Sequence, residues 1–291
     1  MGYSARYHAA SIAAVFLALA IGILIGAEFG DDFVSGTSRS LEESLQGDLD
    51  EARGSVDQLE AQLAREREFG ELAYPVLVGG RLEGQRVGLV AFGDLPEELG
   101  EDVEAALEPT GAELATVAVV DEPPELAELS IAAGPRFARL RDDDDSLEAY
   151  GRAVGRQLVR GGALLRQTED ELFSRLSGRP SQLDGVVVAR SRAETLTPEE
   201  AAASARLEAG ILDGIASSSA PAVGVERTDA ERSSIAVFAD AGLATVDHVD
   251  LVAGEVSLVL ALRGAKGNFG VKDSADQLLP DVLPSSSPIA P

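Results

Sequence analysis

The chain of 291 residues carries 50 acidic against 24 basic side chains, a formal charge of −26. That balance repels phosphate backbones and anionic headgroups, which excludes nucleic-acid binding as a main activity. Cysteine is absent, methionine occurs only at position 1 and histidine only at 8 and 248, so disulfides, thiolate metal sites and cysteine nucleophiles are excluded too.

The first element predicted is a membrane anchor over residues 1–29. Residues Ala9 to Ala27 run without a charge, close to the ~20 residues that cross a bilayer core. A cleaved signal peptide is the alternative, although its apolar stretch is usually shorter, about 7–15 residues. Arg6 precedes the run, and Glu28, Asp31 and Asp32 follow it. Positive charge stays on the cytoplasmic side, so the main domain is expected outside the cytoplasm of a single-pass protein in the cell membrane. Ala18, Gly22 and Gly26 recur every four residues on one face. Such spacing lets two helix backbones approach closely, and it is also common in any membrane helix.

Residues 30–70 read as a coiled-coil stalk. Leu49, Val56 and Leu63 share one heptad position, while Leu45, Ala52 and Leu59 share its partner. Gly47 and Gly54 each weaken the helix by about 1 kcal/mol relative to alanine. A lone amphipathic helix folded back on the domain is the other reading. The expected homodimer interface comprises Gly22, Gly26, Leu45, Leu49, Val56, Leu59 and Leu63.

An α/β domain is predicted over 80–278. Arg86–Phe92 and Leu114–Val120 are apolar strands flanking a helix over 97–108, a βαβ unit that favours a parallel sheet. A helix-rich, acidic middle with Asp142–Asp145 follows. Residues 184–189 and 221–225 give two further strands, residues 244–249 a weaker one and 256–262 a sixth. Thr197-Pro198-Glu199-Glu200 supplies an N-cap, a proline at the first helical position and first-turn acids, so a helix runs to about 215. The alternation gives a Rossmann-like three-layer domain with a mostly parallel sheet. The proline- and serine-rich tail, 279–291, is expected to be disordered.

These motifs carry little chemistry. The first βα turn, Phe92-Gly93-Asp94-Leu95-Pro96, lacks GxGxxG and a P-loop, so no cofactor is expected. Asp142–Asp145 lacks the glycine and spaced ligands of a calcium loop. Asp247-His248-Val249-Asp250 sets the second histidine between two carboxylates. In an extended segment, however, Asp247 and Val249 face one way and His248 and Asp250 the other. There is no GxSxG elbow, and an enzyme is not expected. Copper selects thiolate, thioether or imidazole, and the part after the anchor offers one histidine, so no metal site is expected within one copy.

Two segments carry a resemblance. Tyr7-His8-Ala9-Ala10-Ser11-Ile12-Ala13-Ala14-Val15-Phe16-Leu17-Ala18-Leu19-Ala20-Ile21-Gly22 resembles the anchor of the mycobacterial copper transport protein B (MctB-like) family of actinobacterial envelope proteins. Thr245–Asp250, Gly254, Leu258–Leu262 and Gly267-Asn268-Phe269-Gly270 resemble its closing signature, with Asp247, Asp250, Gly254, Gly267 and Gly270 as the signature positions. His248 stands where that signature commonly has a second aspartate, and 121–180 has no match. The resemblance implies a copper-homeostasis or efflux protein of the envelope. The competing reading is a dimeric envelope scaffold that binds a protein partner and regulates cell-wall or division machinery.

Overall fold

Residues 5–191 and 195–281 are described by the computed structural model. The side chains of 1–7, 9 and 27–44 lie outside the described residues, and with them the flanking charges Arg6, Glu28, Asp31 and Asp32. The same holds for 282–291, most of the predicted tail. The chain divides into two compact units, Met1–Arg67 and Glu68–Pro291.

The first unit is built on α1 (Ala5–Val78), whose last turns, from Glu68 onward, belong to the second. Among the described residues no helix is long and apolar enough to cross a membrane. Described side chains of the uncharged run end at Gly26. Leu45, Leu49, Val56, Leu59 and Leu63 are all exposed on α1. Among the described residues, a Cβ at Gly22, Gly26, Gly47 or Gly54 would meet nothing within 4 Å.

The second unit alternates strands and helices. Its elements are β1 (Arg86–Gly93), α2 (Glu97–Leu107), β2 (Glu113–Val120), α3 (Leu126–Ala132), α4 (Asp144–Arg160), α5 (Ala163–Gln167) and α6 (Glu169–Leu172). They continue with β3 (Phe173–Gly178), β4 (Gly185–Ser191), α7 (Pro198–Ala216), β5 (Ala222–Val225), α8 (Ile235–Asp240), β6 (Ala244–Val246), α9 (Val252–Leu262) and β7 (Asn268–Phe269). Among the described residues the strands form one seven-stranded sheet in the order β3-β2-β1-β4-β5-β6-β7. Only β3 runs antiparallel to its neighbour.

The apolar strands β1 and β4 sit centrally because both of their faces are buried. Val90, Phe92, Val186 and Val188 point into one core, with Tyr150 and Val154 of α4, Leu207 and Ile211 of α7 and Phe238 of α8. Val87, Leu89, Val187 and Ala189 point into the other, with Val103 and Leu107 of α2, Leu258 of α9 and Tyr74 and Val78 of α1. Helices thus cover both faces, as the alternation predicts.

Thr197 caps α7 as predicted: its hydroxyl accepts the Glu200 amide, and the Glu200 carboxylate accepts the Thr197 amide. Those bonds to the charged form hold the Glu200 carboxyl below its usual range. The acidic run opens α4, where Asp144 and Asp145 occupy the first turn and complement the positive helix end. Asp144 also pairs with Arg206 at 2.8 Å.

Helices α4 and α7 meet at backbone distance. A Cβ on Gly151 would lie 2.6 Å from the Leu207 carbonyl, and Gly155, Gly210 and Gly214 are as closely confined by the opposite backbone.

The sixth predicted strand is corrected: residues 256–262 belong to helix α9. An uninterrupted apolar run cannot separate a buried strand from a buried helix. Gly254 decides here, because its missing side chain lets the helix seat directly on the backbone of His248 and Val249. Strand β3 comes from the acidic middle; its exposed positions hide it from an apolar pattern.

Candidate functional site

The chain order runs outward from β1 to β2 and β3, then returns to β4 on the other side of β1. Loops beyond the carboxyl ends of β1 and β4 therefore diverge, and a crevice opens at this switch point. It has a volume of about 860 Å³. Its walls are the β1–α2 turn, Asp121 and Glu122 beyond β2, the end of β4 and the β5–α8 loop from Val225 to Ser234.

Charge pairs build these walls. Arg190, at the end of β4, points its Nε at the Glu208 carboxylate of α7, 3.0 Å away and almost fully buried. Arg227 pairs with Asp102 of α2 and with Asp229. Glu226 is buried; its carboxylate accepts the Ser234 amide at 2.7 Å, the Ser233 hydroxyl at 2.9 Å and the Lys272 ammonium at 2.7 Å. Burial pushes the Asp102 carboxyl up, and the Arg227 charge opposes that rise. Burial also raises Asp121.

Asp250 and Asp247 hold this loop from behind. Asp250 Oδ1 accepts the Thr228 amide at 2.7 Å and its hydroxyl at 3.0 Å, pinning the β5–α8 loop. Asp247 is buried and accepts the amides of Val271 and Lys272, at 2.9 and 3.0 Å. Those bonds place Lys272, which reaches Glu226 and, at 3.0 Å, the Arg227 carbonyl. Gly270 leaves room for the Asp247 carboxylate, and Gly267 has a φ of +135°, a conformation that favours glycine. Asp247, Asp250 and Gly270 thus brace the crevice wall, whereas Gly254 seats α9 on the His248 backbone and Gly267 lies beside the Phe269 ring.

The expected alternation of faces over 247–250 does not occur, because β6 ends at Val246 and the chain bends. Asp247, His248 and Val249 are all buried. The His248 Nδ1 lies 3.2 Å from Asp247 Oδ1 but off the hydrogen-bond direction, and neither ring nitrogen has a hydrogen-bond partner among the described residues. Burial lowers its pKa, against the pull of Asp247, so the ring is neutral.

A neutral imidazole is one copper ligand, and no second soft donor follows residue 27. Among the described residues no group of three or more histidine or carboxylate side chains is arranged to hold a metal ion. Glu226, Arg227, Lys272, Arg190, Glu208 and Asp121 escape sequence reasoning. The available signal was a charged residue just past each apolar strand. The predicted dimer residues, Gly22, Gly26, Leu45, Leu49, Val56, Leu59 and Leu63, all lie on α1, in the first unit.

Proteins called Copper transporter MctB, from Mycobacterium bovis and from two strains of Mycobacterium tuberculosis, are each 27% identical to this chain. The alignments cover 94% of this chain and 97% of each relative. The family described as "Copper transport outer membrane protein, MctB" matches residues 3–280, and the chain belongs to that family.

Proposed function

We propose that this protein serves copper homeostasis or efflux at the cell envelope as a single-pass membrane protein, without being an enzyme. The family match along residues 3–280 carries this reading, since it joins the chain to relatives named as copper transporters. The uncharged run Ala9–Ala27 supports an anchor, and the charges around it support a domain outside the cytoplasm. The donor set narrows the role: copper is cargo of the system, and this chain contributes structure or recognition beside the component that ligates it. Deleting the gene in its native host is expected to raise cell-associated copper and lower copper tolerance, with both restored by the full-length gene. Unchanged copper content and tolerance would reject the copper role.

A second reading, a dimeric envelope scaffold binding a protein partner that controls cell-wall or division machinery, is favoured by a specific feature. Leu45, Leu49, Val56, Leu59 and Leu63 are exposed at heptad spacing, the pattern of a two-stranded seam. Gly22 and Gly26 would extend the contact in the membrane.

A further inference from the structure

One corner of the crevice is left unused by the bonds that build its walls. The Asp121 carboxylate is half-buried and makes no ion pair among the described residues, and burial is the cause of its raised pKa. Behind it lies Ser204 of α7, which is 7% exposed and whose hydroxyl has no partner among the described residues. Ser204 lines a recess of about 10 Å³ that shares Gly93, Asp121 and Glu122 with the crevice. That is room for one water-sized group.

The surroundings select its charge. An anion is disfavoured, because Glu97 and Glu98 already occupy the first turn of α2. The arginines Arg190 and Arg227 are engaged by Glu208, Asp102 and Asp229. Asp94, Glu98 and Asp121 line the crevice with no ion pair among the described residues, against Arg232 at the rim, so negative charge is in excess. A water would satisfy Ser204 but leave that charge uncompensated. A guanidinium is too broad for the recess. An alkylammonium is compact, has three donors and no acceptor, and so matches a carboxylate beside a hydroxyl lone pair.

We propose that the crevice is a binding site for a primary amine, whose ammonium enters the recess between Asp121 and Ser204 while its alkyl chain lies along the crevice. The amine belongs either to a free diamine or polyamine or to a lysine side chain of another protein; the chemistry is shared.

The test is calorimetric titration of the full-length protein in detergent at about 0.15 M salt, which screens exposed charge beyond about 8 Å. The probes are 1,5-diaminopentane, Nα-acetyl-lysine methylamide and Nα-acetyl-arginine methylamide. At least one amine is expected to bind, the arginine derivative at least tenfold more weakly. Asp121→Asn should weaken binding roughly ten- to a hundredfold through loss of the ion pair, and Ser204→Ala roughly three- to tenfold through loss of one ammonium–hydroxyl hydrogen bond that water can partly replace. Asp142→Asn, on the surface, should leave it unchanged. Preference for the diamine assigns a free amine, and preference for the lysine derivative assigns a protein side chain. Should Asp121→Asn melt abnormally, Ser204→Ala decides. No binding of either amine, equal binding of the arginine derivative, or equal weakening by Asp142→Asn overturns the proposal.

Discussion

The α-carbon of Gly270 packs directly against the carboxylate of Asp247, leaving no room for a side chain at that position. The contact lets the chain after β7 turn its amides toward a buried charge, and it positions Lys272 for Glu226. A short-range steric fact therefore reaches the crevice wall through a carboxylate and an ammonium.

Gly270→Ala is expected to destabilise the second unit by about 1–3 kcal/mol, the usual cost of overpacking. Asp247→Asn should cost about 1.5–3 kcal/mol, because bonds from two amides to a buried charge weaken. Urea unfolding checks both. Wild-type midpoints would show that the brace is not structural.

Glycine-to-alanine substitutions should have opposite signs in the two units. Gly155→Ala and Gly210→Ala force α4 and α7 apart and should each cost about 1–3 kcal/mol. Gly47→Ala meets nothing on α1 and should gain up to about 1 kcal/mol of helix propensity. Helical circular dichroism on thermal melting reads both.

Glu255 gives a pH signature. Burial first, then the charges of Asp102 and Glu71, push its carboxyl from 4.5 up to about 7. It lies where the end of α1 packs, with Gly70 against Val252 and the Tyr74 hydroxyl donating to the Ala106 carbonyl at 2.6 Å. The folded state holds a proton that the unfolded state releases near 4.5, so this group's contribution falls as pH rises from about 4.5 to about 7. His248 acts the other way: its lowered pKa costs stability as pH falls through about 6.5. The difference in melting temperature between Glu255→Gln and wild type should therefore grow from pH 5 to 7.5. A difference independent of pH would refute the assignment.

Purified full-length protein should hold Cu(I) no more tightly than a weak competing chelator, given no cysteine, a buried His248 and only His8 and Met1 besides, far from it in sequence. Stoichiometric submicromolar binding would contradict this, and His248→Ala would then show whether the buried ring is the ligand.

Cysteine introduced at Leu59 should crosslink to its twin if two copies share the seam. At Gln62, whose amide instead donates to Glu66 at 3.0 Å, crosslinking should be poor. Equal yields, or none at either, would reject a parallel two-stranded α1.

Sequence alone determined the parts whose physics is local. The apolar runs of β1, β2 and β4, the Thr197–Glu200 box and the missing soft ligands need no long-range partner to be read. Asp247 and Asp250 stood out by resemblance alone, and their contacts were not legible, because Asp247 meets Lys272 and Asp250 meets Thr228 only across 22 or more residues. The tertiary structure alone decided that residues 252–262 are a helix, since the close seat of Gly254 on His248 is invisible in an unbroken apolar run. It alone placed β3 at the sheet edge, where pairing with β2 outweighs weak apolar content. And it made the crevice, because four loops distant in sequence converge only once β1 and β4 lie side by side and the connections on their two sides diverge.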